Sequence, residues 1–279
     1  MKAKFYNFIC ATVLSLCLVS GANAQYFKFD QSQGQAYETQ QDVEVAVDGI
    51  LKFFGAVVGG GLYHTADLHS VGGVDIGFRG VVASVPDEFE AVPVFLDENR
   101  VGLAFLHGSV GLPGNLEVMG RFFYQPLGAD QNTVLTPPRA ADSRGGVTLI
   151  GAGLKYGLLQ MPGAPKVTLI GAYHALFVPE EFDFGTVGTA SLKAVASYSL
   201  PFLPIAGVYA SVGVDHTRLS LDEDIDLFTD ALGGESFSTT ETSYGIGATV
   251  RPFPLIIVNG ALGFGEFNSF DLGFAISFR

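Results

Sequence analysis

Apolar and polar residues alternate along most of the chain with a period of two, which is the spacing of side chains in a β-strand. The alternation begins near Val71 and continues to the C-terminal end, where one side of it consists of Phe270, Leu272, Phe274, Ile276 and Phe278. Followed along the chain, it predicts about ten strands. They cover residues 71–85, 100–110, 116–125, 146–159, 166–178, 185–200, 205–219, 239–250, 255–265 and 269–278.

The composition is that of a membrane protein, although the sequence lacks an apolar stretch of helical length beyond its first residues. Hydrophobic residues make up 48% of the chain, and its mean hydropathy is +0.35. A spanning helix needs roughly 20 apolar residues, and only helices and closed barrels satisfy every backbone hydrogen bond in lipid. The sequence therefore predicts an all-β fold, a single antiparallel transmembrane β-barrel.

The connections between the predicted strands are of two alternating kinds. Tight turns rich in Pro and Gly occur at residues 112–115, 161–165, 201–204 and 251–254. Longer polar connections lie between them, at residues 86–99, 126–145, 179–184 and 220–238. Short periplasmic turns that alternate with longer external loops are typical of bacterial outer-membrane barrels. This pattern predicts that both ends of the chain lie in the periplasm.

Residues 1–24 have the features of a secretory signal peptide. Lys2 and Lys4 precede the apolar run 8–19, and Ala22-Asn23-Ala24 predicts cleavage after Ala24. A lipid-modified Cys17 is the alternative, but Leu16 stands where such signals have a small residue. Both cysteines of the chain, Cys10 and Cys17, fall in this segment, so we expect neither a disulfide nor a Cys-ligated metal in the exported protein.

Residues 25–70 are predicted to form a polar tail and one amphipathic helix in front of the barrel, which occupies residues 71–279. Val43, Val47, Ile50, Leu51 and Phe54 recur at helical spacing, and polar residues occupy the other side. The helix is a possible hatch, a segment that closes the barrel. Its position, inside the barrel or beneath it in the periplasm, is left open by the sequence.

Faces can be assigned strand by strand. The apolar face, expected to contact lipid, includes Val74, Ile76, Phe78, Ile150, Leu154, Val208, Val212 and Val214. The opposite face, expected to line the lumen, carries four acids and four bases: Asp75, Arg79, Glu117, Arg121, Lys155, Lys193, Asp215 and Asp271. Either these charges form a compensating ion-pair network that fills a narrow lumen, or they line a path for a solute.

Other chemistry finds little support in the sequence, and we expect no cofactor, no metal and no catalytic residue. His64, His69, His107, His174 and His216 lack metal-ligand spacing. Asp222, Asp224 and Asp226 alternate, but Leu227 breaks the calcium-loop pattern. The net charge of −13 argues against a nucleic-acid partner. A lipid-modifying enzyme that uses His174 or His216 is a third hypothesis, although the sequence has no G-x-S-x-G motif.

Three short segments resemble an uncharacterised family of bacterial outer-membrane β-barrels, known as a domain of unknown function. They are Leu62-Tyr63-His64-Thr65-Ala66, Gly111-Leu112-Pro113, and Gly151-Ala152-Gly153-Leu154-Lys155-Tyr156 with the following Leu159-Gln160-Met161-Pro162. The resemblance implies an outer-membrane barrel and carries over no functional residues. A helix before the first strand is also similar to the outer-membrane transporters of long-chain fatty acids, whose N-terminal segment forms a hatch.

The sequence thus predicts an outer-membrane protein of a Gram-negative bacterium that binds or passes a small apolar or amphipathic solute. The alternative is a structural or surface-interaction barrel with a plugged lumen and acidic external loops. Expected partners are outer-membrane lipid, a small hydrophobic ligand, and the barrel-assembly machinery, which would bind the C-terminal strand.

Overall fold

The computed structural model describes residues 40–86, 100–128, 143–177, 185–203, 205–221 and 236–278. In these residues one helix, α1 (Gln40–Gly59), precedes ten strands. The strands are β1 (Val74–Ser84), β2 (Arg100–Leu112), β3 (Leu116–Gly128), β4 (Ser143–Leu159), β5 (Lys166–Phe177), β6 (Gly185–Ser199), β7 (Ala206–Leu221), β8 (Ser236–Phe253), β9 (Ile256–Phe264) and β10 (Ser269–Phe278). The predicted signal peptide, the tail 25–39 and the acidic residues Asp222, Asp224 and Asp226 lie outside this part of the chain.

All ten strands form one closed antiparallel barrel, in which each strand pairs with its neighbours in sequence. The first and last strands close it, with a register that runs from Val74 opposite Phe278 to Ala83 opposite Ser269. Closure leaves no free strand edge, as the lipid environment requires. The predicted fold class is confirmed.

Outward and inward side chains alternate along the strands as predicted. Large apolar side chains on the outside are exposed, for example Phe78 at 62% and Ile76 at 57%. Ile150, Leu154, Val208, Val212 and Val214 are exposed on the same surface. Because an apolar exterior around a closed barrel suits lipid and not water, this is a membrane-spanning barrel of the bacterial outer-membrane type. No helix among the described residues has the length and apolar character needed to cross a membrane.

The barrel has two different ends. Close connections join β2 to β3, β4 to β5, β6 to β7 and β8 to β9 at one end, which we call the turn end. The other connections leave the opposite end, the loop end. The β9–β10 connection there is short, residues 265–268, and much of the longer connections lies outside the described residues. Strand β8 extends beyond its predicted start at Thr239. Phe237 is the one apolar residue in the stretch 236–243, so no apolar alternation marks this end of the strand.

The helix α1 lies inside the barrel, in the half nearest the loop end. Its Val47, Leu51, Phe54 and Val58 belong to an apolar cluster with inward side chains of the wall. These wall residues are Val81, Ala83, Leu103, Phe105, Leu149, Val187 and Leu219, which lie toward the loop end of their strands, and Val85, which follows β1. The interior of that half is therefore a packed apolar core.

Helix α1 is apolar on more than one face. It ends at Gly59, and Gly61 follows with a φ of 59°, a conformation that favours glycine. Phe53 and Val57, outside the predicted apolar stripe, are both buried. A helix enclosed by a barrel wall can bury residues on all sides, whereas a surface helix buries one stripe.

Candidate functional site in the barrel interior

Helix α1 and residues 60–73 together fill the interior, and we call them the plug. The plug runs antiparallel to β7, as three contacts demonstrate. A Cβ on Gly55 would lie 2.9 Å from Thr217 Oγ1, and one on Gly59 would meet the carboxylate of Asp215. Tyr63 then donates a hydrogen bond to Ser211. As the plug residue number rises, the β7 residue number falls toward the turn end.

Residues 65–73 continue this descent to the turn end. The backbone nitrogen of Ala66 donates to Ser197 Oγ over 3.0 Å, near the end of β6. The Asp67 carboxylate pairs with Lys166 at the start of β5, and its Oδ2 lies 3.7 Å from Arg251 Nη2 on β8. The plug therefore passes through the barrel from its loop end to its turn end.

The last plug residues pack directly on strand β2 at Gly111. The backbone nitrogen of Gly72 donates to the Gly111 oxygen over 2.9 Å, and Gly111 donates to the Gly73 oxygen over 2.9 Å. A Cβ on Gly111 would collide with the backbone oxygens of His69 and Ser70. Glycine at this position allows the plug backbone to reach the wall before β1 begins.

The position of the helix answers a question that the sequence left open. The helix is inside the barrel and not beneath it. Strand β10 ends at the turn end, as predicted, and α1 begins at the loop end. The predicted periplasmic position of the N-terminal end of the chain concerns residues before Gln40, which lie outside the described residues.

All eight charged residues assigned to the lumen point into the barrel. Seven of them, Asp75, Arg79, Glu117, Arg121, Lys155, Lys193 and Asp215, are buried. Asp271 is half-buried, and its carboxylate reaches the plug. They occupy the middle and the turn-end half of the interior, below the apolar core.

Glu117 and Lys155 form the best enclosed ion pair. They stand opposite each other on β3 and β4, and Lys155 Nζ lies 2.5 Å from Glu117 Oε1. The plug adds His69, whose backbone nitrogen donates to Glu117 Oε2 over 2.9 Å and whose Nδ1 lies 2.8 Å from the same oxygen. Glu117 thereby joins two strands to the plug.

Lys193 and Asp215 form a second pair where α1 ends. Lys193 Nζ lies 2.8 Å from Asp215 Oδ2, and the hydroxyl of Ser243 donates to that oxygen over 3.0 Å. Ser191 donates to Asp215 Oδ1 over 2.6 Å. These contacts hold the carboxylate against Gly59 of the plug.

The other four charges do not follow the simple expectation of acid paired with base. Arg121 donates to the Val58 oxygen over 2.6 Å, and its guanidinium lies 4.0 Å above the centre of the Phe105 ring. Asp271 accepts from the backbone nitrogen of Gly61 over 2.8 Å. A cation at the C-terminal end of a helix is favourable because the free carbonyls there carry partial negative charge.

The hydrogen-bond partners of Asp75 and Arg79 are Ser, Asn and His side chains and not each other. Arg79 donates to Asn259, and its Nη2 lies 2.6 Å from His64 Nδ1. Asp75 accepts from Ser109 over 3.0 Å. The Nε2 atoms of three histidines surround Asp75: His64 at 3.9 Å, His69 at 4.0 Å and His107 at 3.8 Å.

This histidine cluster was not predicted, because His64 and His69 belong to the irregular segment where no periodicity assigns a direction. Within the described residues, His, Asp and Glu side chains are nowhere grouped as a metal site would require. Of the histidines considered for catalysis, His174 is buried over Gly151, whereas His216 is exposed with its Nδ1 2.8 Å from Thr240 Oγ1. That the chain is not an enzyme stays a prediction.

At the loop end, Lys52 ties the plug to the rim of the wall. Its Nζ lies 2.9 Å from Asp48 on the same helix and 2.7 Å from Glu266, which stands between β9 and β10. Burial alone lowers the pKa of Lys52, but the hydrogen bonds to Asp48 and Glu266 outweigh burial and raise the pKa above its ordinary value. The ammonium group therefore stays charged at neutral pH.

Comparison with known proteins gives only distant structural likenesses. No protein-family model matches the chain, and no curated protein matches its sequence. The N-terminal barrel domain of Pseudomonas aeruginosa OprF is 12% identical, with 72% of this chain and 99% of that chain covered and a TM-score of 0.32. For Pseudomonas aeruginosa OprG the values are 13%, 77%, 99% and 0.33.

Yersinia pestis Ail, solved in complex with the heparin analogue sucrose octasulfate, is 13% identical over 75% of this chain and 100% of that chain, with a TM-score of 0.29. Identities and scores of this size carry no conclusion about function. The two family resemblances noted from the sequence stay predictions.

Proposed function

We propose that this protein is a closed outer-membrane barrel that anchors its acidic external loops at the cell surface. This is the alternative function predicted from the sequence, a structural barrel with a plugged lumen. The observation that carries the proposal is the continuous occupation of the barrel interior by α1 and residues 60–73, from the loop end to the turn end.

Apolar packing supports a permanent plug at the loop end. Phe53, Val57 and Val58 have exposed fractions of 2%, 0% and 0%, so the wall and the plug cover them almost completely. Burial of an aromatic or aliphatic side chain of this size is worth about 1.5 to 3 kcal/mol. Withdrawal of α1 as an opening hatch would expose all of these side chains to water.

Polar contacts support the same conclusion deeper in the barrel. Glu117, Arg121 and Asp271 each bind a backbone group of the plug. A hydrogen bond to a charged group contributes about 1.5 to 3 kcal/mol, and a charged group left buried without its partner costs more. The wall charges are therefore complementary to the plug and not to an empty channel.

Among the described residues, an internal cleft between the end of α1 and strands β8 and β9 has a volume of about 40 Å³ and is lined by Tyr63, Ser243 and Asp271, among others. That space holds no more than a few water molecules. A groove of about 750 Å³ also exists, but Tyr198, Val208 and Phe270 line it and it opens mainly toward lipid.

Passage of a small apolar or amphipathic solute, the leading prediction from the sequence, would require the plug to move. The two functions differ in a planar-bilayer experiment on the purified, folded protein. A closed anchor gives no steady conductance, and fatty acids of different chain length do not raise its melting temperature. Steady single-channel conductance, or a concentration-dependent stabilisation by one of those lipids, would overturn the proposal.

A variant that lacks residues 40–58 provides the positive control for this assay. If it still assembles, the lumen loses the helix that fills its loop-end half, and we expect conductance to appear. Should this deletion fail to assemble, the double substitution Phe53→Ala/Phe54→Ala replaces it, since it loosens the plug without removing the chain.

A further inference from the structure

We infer that the plug crosses the barrel from outside to inside, so that the N-terminal end of α1, at Gln40, lies on the outer side of the membrane. The inference concerns the direction of the plug. It holds whether or not the barrel conducts, and so does not depend on the proposed function.

Contacts at the loop end fix the direction of α1. Lys52 reaches Glu266 over 2.7 Å, and the rings of Phe53 and Phe267 are 5.7 Å apart in an edge-to-face arrangement. Glu266 and Phe267 lie in the connection between β9 and β10, which belongs to the loop end because β10 begins opposite the end of β1. The C-terminal end of α1 lies deeper, where Arg121 binds the Val58 oxygen.

The start of α1 lies still nearer the loop end. Val47 is buried against the wall cluster at that end. An α-helix rises about 1.5 Å per residue, so Gln40 lies about 18 Å farther along the helix axis than Lys52, which is level with the connection that holds Glu266. The helix therefore begins at the mouth of the barrel on the side of the long loops.

The sides of the membrane follow from the connections. In outer-membrane barrels the short turns face the periplasm and the long loops face outward. The turn end here holds the tight β2–β3 and β8–β9 connections. The loop end is accordingly external, and α1 begins on the external side.

The chain therefore passes once through the lumen, from the start of α1 on the external side to the start of β1 on the periplasmic side.

Site-specific labelling of intact cells tests the direction of the plug. Asp48 is suitable because its side chain is 44% exposed at the loop end of α1. Phe202, in the β6–β7 turn, is 82% exposed and serves as the matched control at the opposite end. The variants Asp48→Cys and Phe202→Cys are treated with a membrane-impermeant maleimide before and after permeabilisation of the outer membrane, with the parent protein as background.

We expect equal labelling of Asp48→Cys before and after permeabilisation, and labelling of Phe202→Cys only afterwards. The reverse order, with Asp48→Cys protected until the membrane is opened, would overturn the inference. Heat-modifiable migration on gels verifies that each variant forms a folded barrel.

A second variant tests the segment before the helix and covers the case in which the Asp48→Cys thiol reacts in neither condition. A specific protease site and an epitope are inserted directly before Gln40. Protease added to intact cells should release the epitope as completely as it does in permeabilised cells. Release that occurs only after permeabilisation would contradict the inference.

Discussion

Lys155 Nζ lies 2.5 Å from Glu117 Oε1 across the β3–β4 ladder, with exposed side-chain fractions of only 1% and 0%. The pair is not isolated, since the plug brings the backbone nitrogen of His69 to the other carboxylate oxygen over 2.9 Å. A buried ion pair is costly to form, but it is more costly to break. Loss of either Lys155 or Glu117 alone should therefore destabilise the closed barrel.

Removal of one member of this pair is expected to destabilise the protein strongly. Lys155→Met leaves the Glu117 carboxylate buried with no cation beside it, and such a change costs about 3 to 5 kcal/mol. Lys155→Met/Glu117→Gln should lose less, because the remaining amide is neutral. The measurement is the free energy of unfolding from urea titrations in lipid vesicles.

Lys166→Met is the control for this pair, because the ion pair of Lys166 with Asp67 is partly exposed at the turn end. Partly exposed pairs contribute about 0 to 1 kcal/mol. Equal losses for Lys155→Met and Lys166→Met would contradict the buried role assigned to Lys155.

A methyl group at Gly59 is expected to disturb the plug. A Cβ there would collide with the Asp215 carboxylate, which is held by Lys193 over 2.8 Å. We expect Gly59→Ala to lower the free energy of unfolding by about 1 to 3 kcal/mol, the usual cost of overpacking. Gly171→Ala is the control, since a Cβ at Gly171 meets no atom within 4 Å.

The direction of the change in the free energy of unfolding of Gly59→Ala tests the position of the end of α1. On an unobstructed helix, replacement of glycine by alanine stabilises by about 0.5 to 1 kcal/mol. A stabilised Gly59→Ala protein would show that the end of α1 does not lie against Asp215.

The contact between Lys52 and Glu266 at the rim is expected to contribute little. Lys52→Met should change the free energy of unfolding by about 0 to 1 kcal/mol, and added salt should remove most of this difference. Because the pKa of Lys52 is raised, any stabilisation from the pair is complete below the ordinary lysine pKa and is lost only as pH rises through the higher folded-state value. A loss of this contribution between neutral and mildly alkaline pH would argue against the Lys52–Glu266 contact.

A charge on the outer wall tests the lipid-facing surface. Val212 lies near the middle of β7 and is 46% exposed, so Val212→Arg should cost about 2 to 4 kcal/mol in lipid vesicles. Val71 is 69% exposed but precedes β1 at the turn end, and Val71→Arg should cost far less. A similar loss of stability for both variants would show that Val212 does not face the lipid interior.

The strands were predictable from the sequence because the wall separates two environments. Ile150 and Leu154 face outward while Lys155 and Gly151 face inward. The period of two in each strand therefore indicates which side chains face lipid and which face the lumen. Where apolar residues are sparse, as in the stretch 236–243 of β8 with Phe237 alone, the period disappears and the strand end was not predicted.

The plug could be predicted only in part. The spacing of Val47, Leu51 and Phe54 identified a helix, but helical periodicity does not say whether a barrel or another surface covers it. Residues 60–73 form no regular element, so no periodicity indicates the direction of the His64 or His69 side chain. Their partners, such as Ser277 at 3.1 Å from His69 Nε2, are brought near by closure of strands distant in sequence.

The most direct test of the central claim, that α1 occupies the lumen antiparallel to β7, is a disulfide between the two elements. A Cβ on Gly55 would lie 2.9 Å from Thr217 Oγ1, which suits the short Cβ–Cβ separation of about 3.5 to 4.5 Å that a disulfide needs. The variant is Gly55→Cys/Thr217→Cys. Gly55→Cys alone controls for the cysteines of the predicted signal peptide, and Gly55→Cys/Thr168→Cys places the second thiol near the turn end, where Thr168 binds the Ala66 oxygen over 2.6 Å.

After mild oxidation of the folded protein, mass spectrometry should find the Gly55→Cys/Thr217→Cys pair joined within one chain and both control variants unjoined. Free thiols in a folded Gly55→Cys/Thr217→Cys protein, or a disulfide in Gly55→Cys/Thr168→Cys, would contradict the position and direction of the plug.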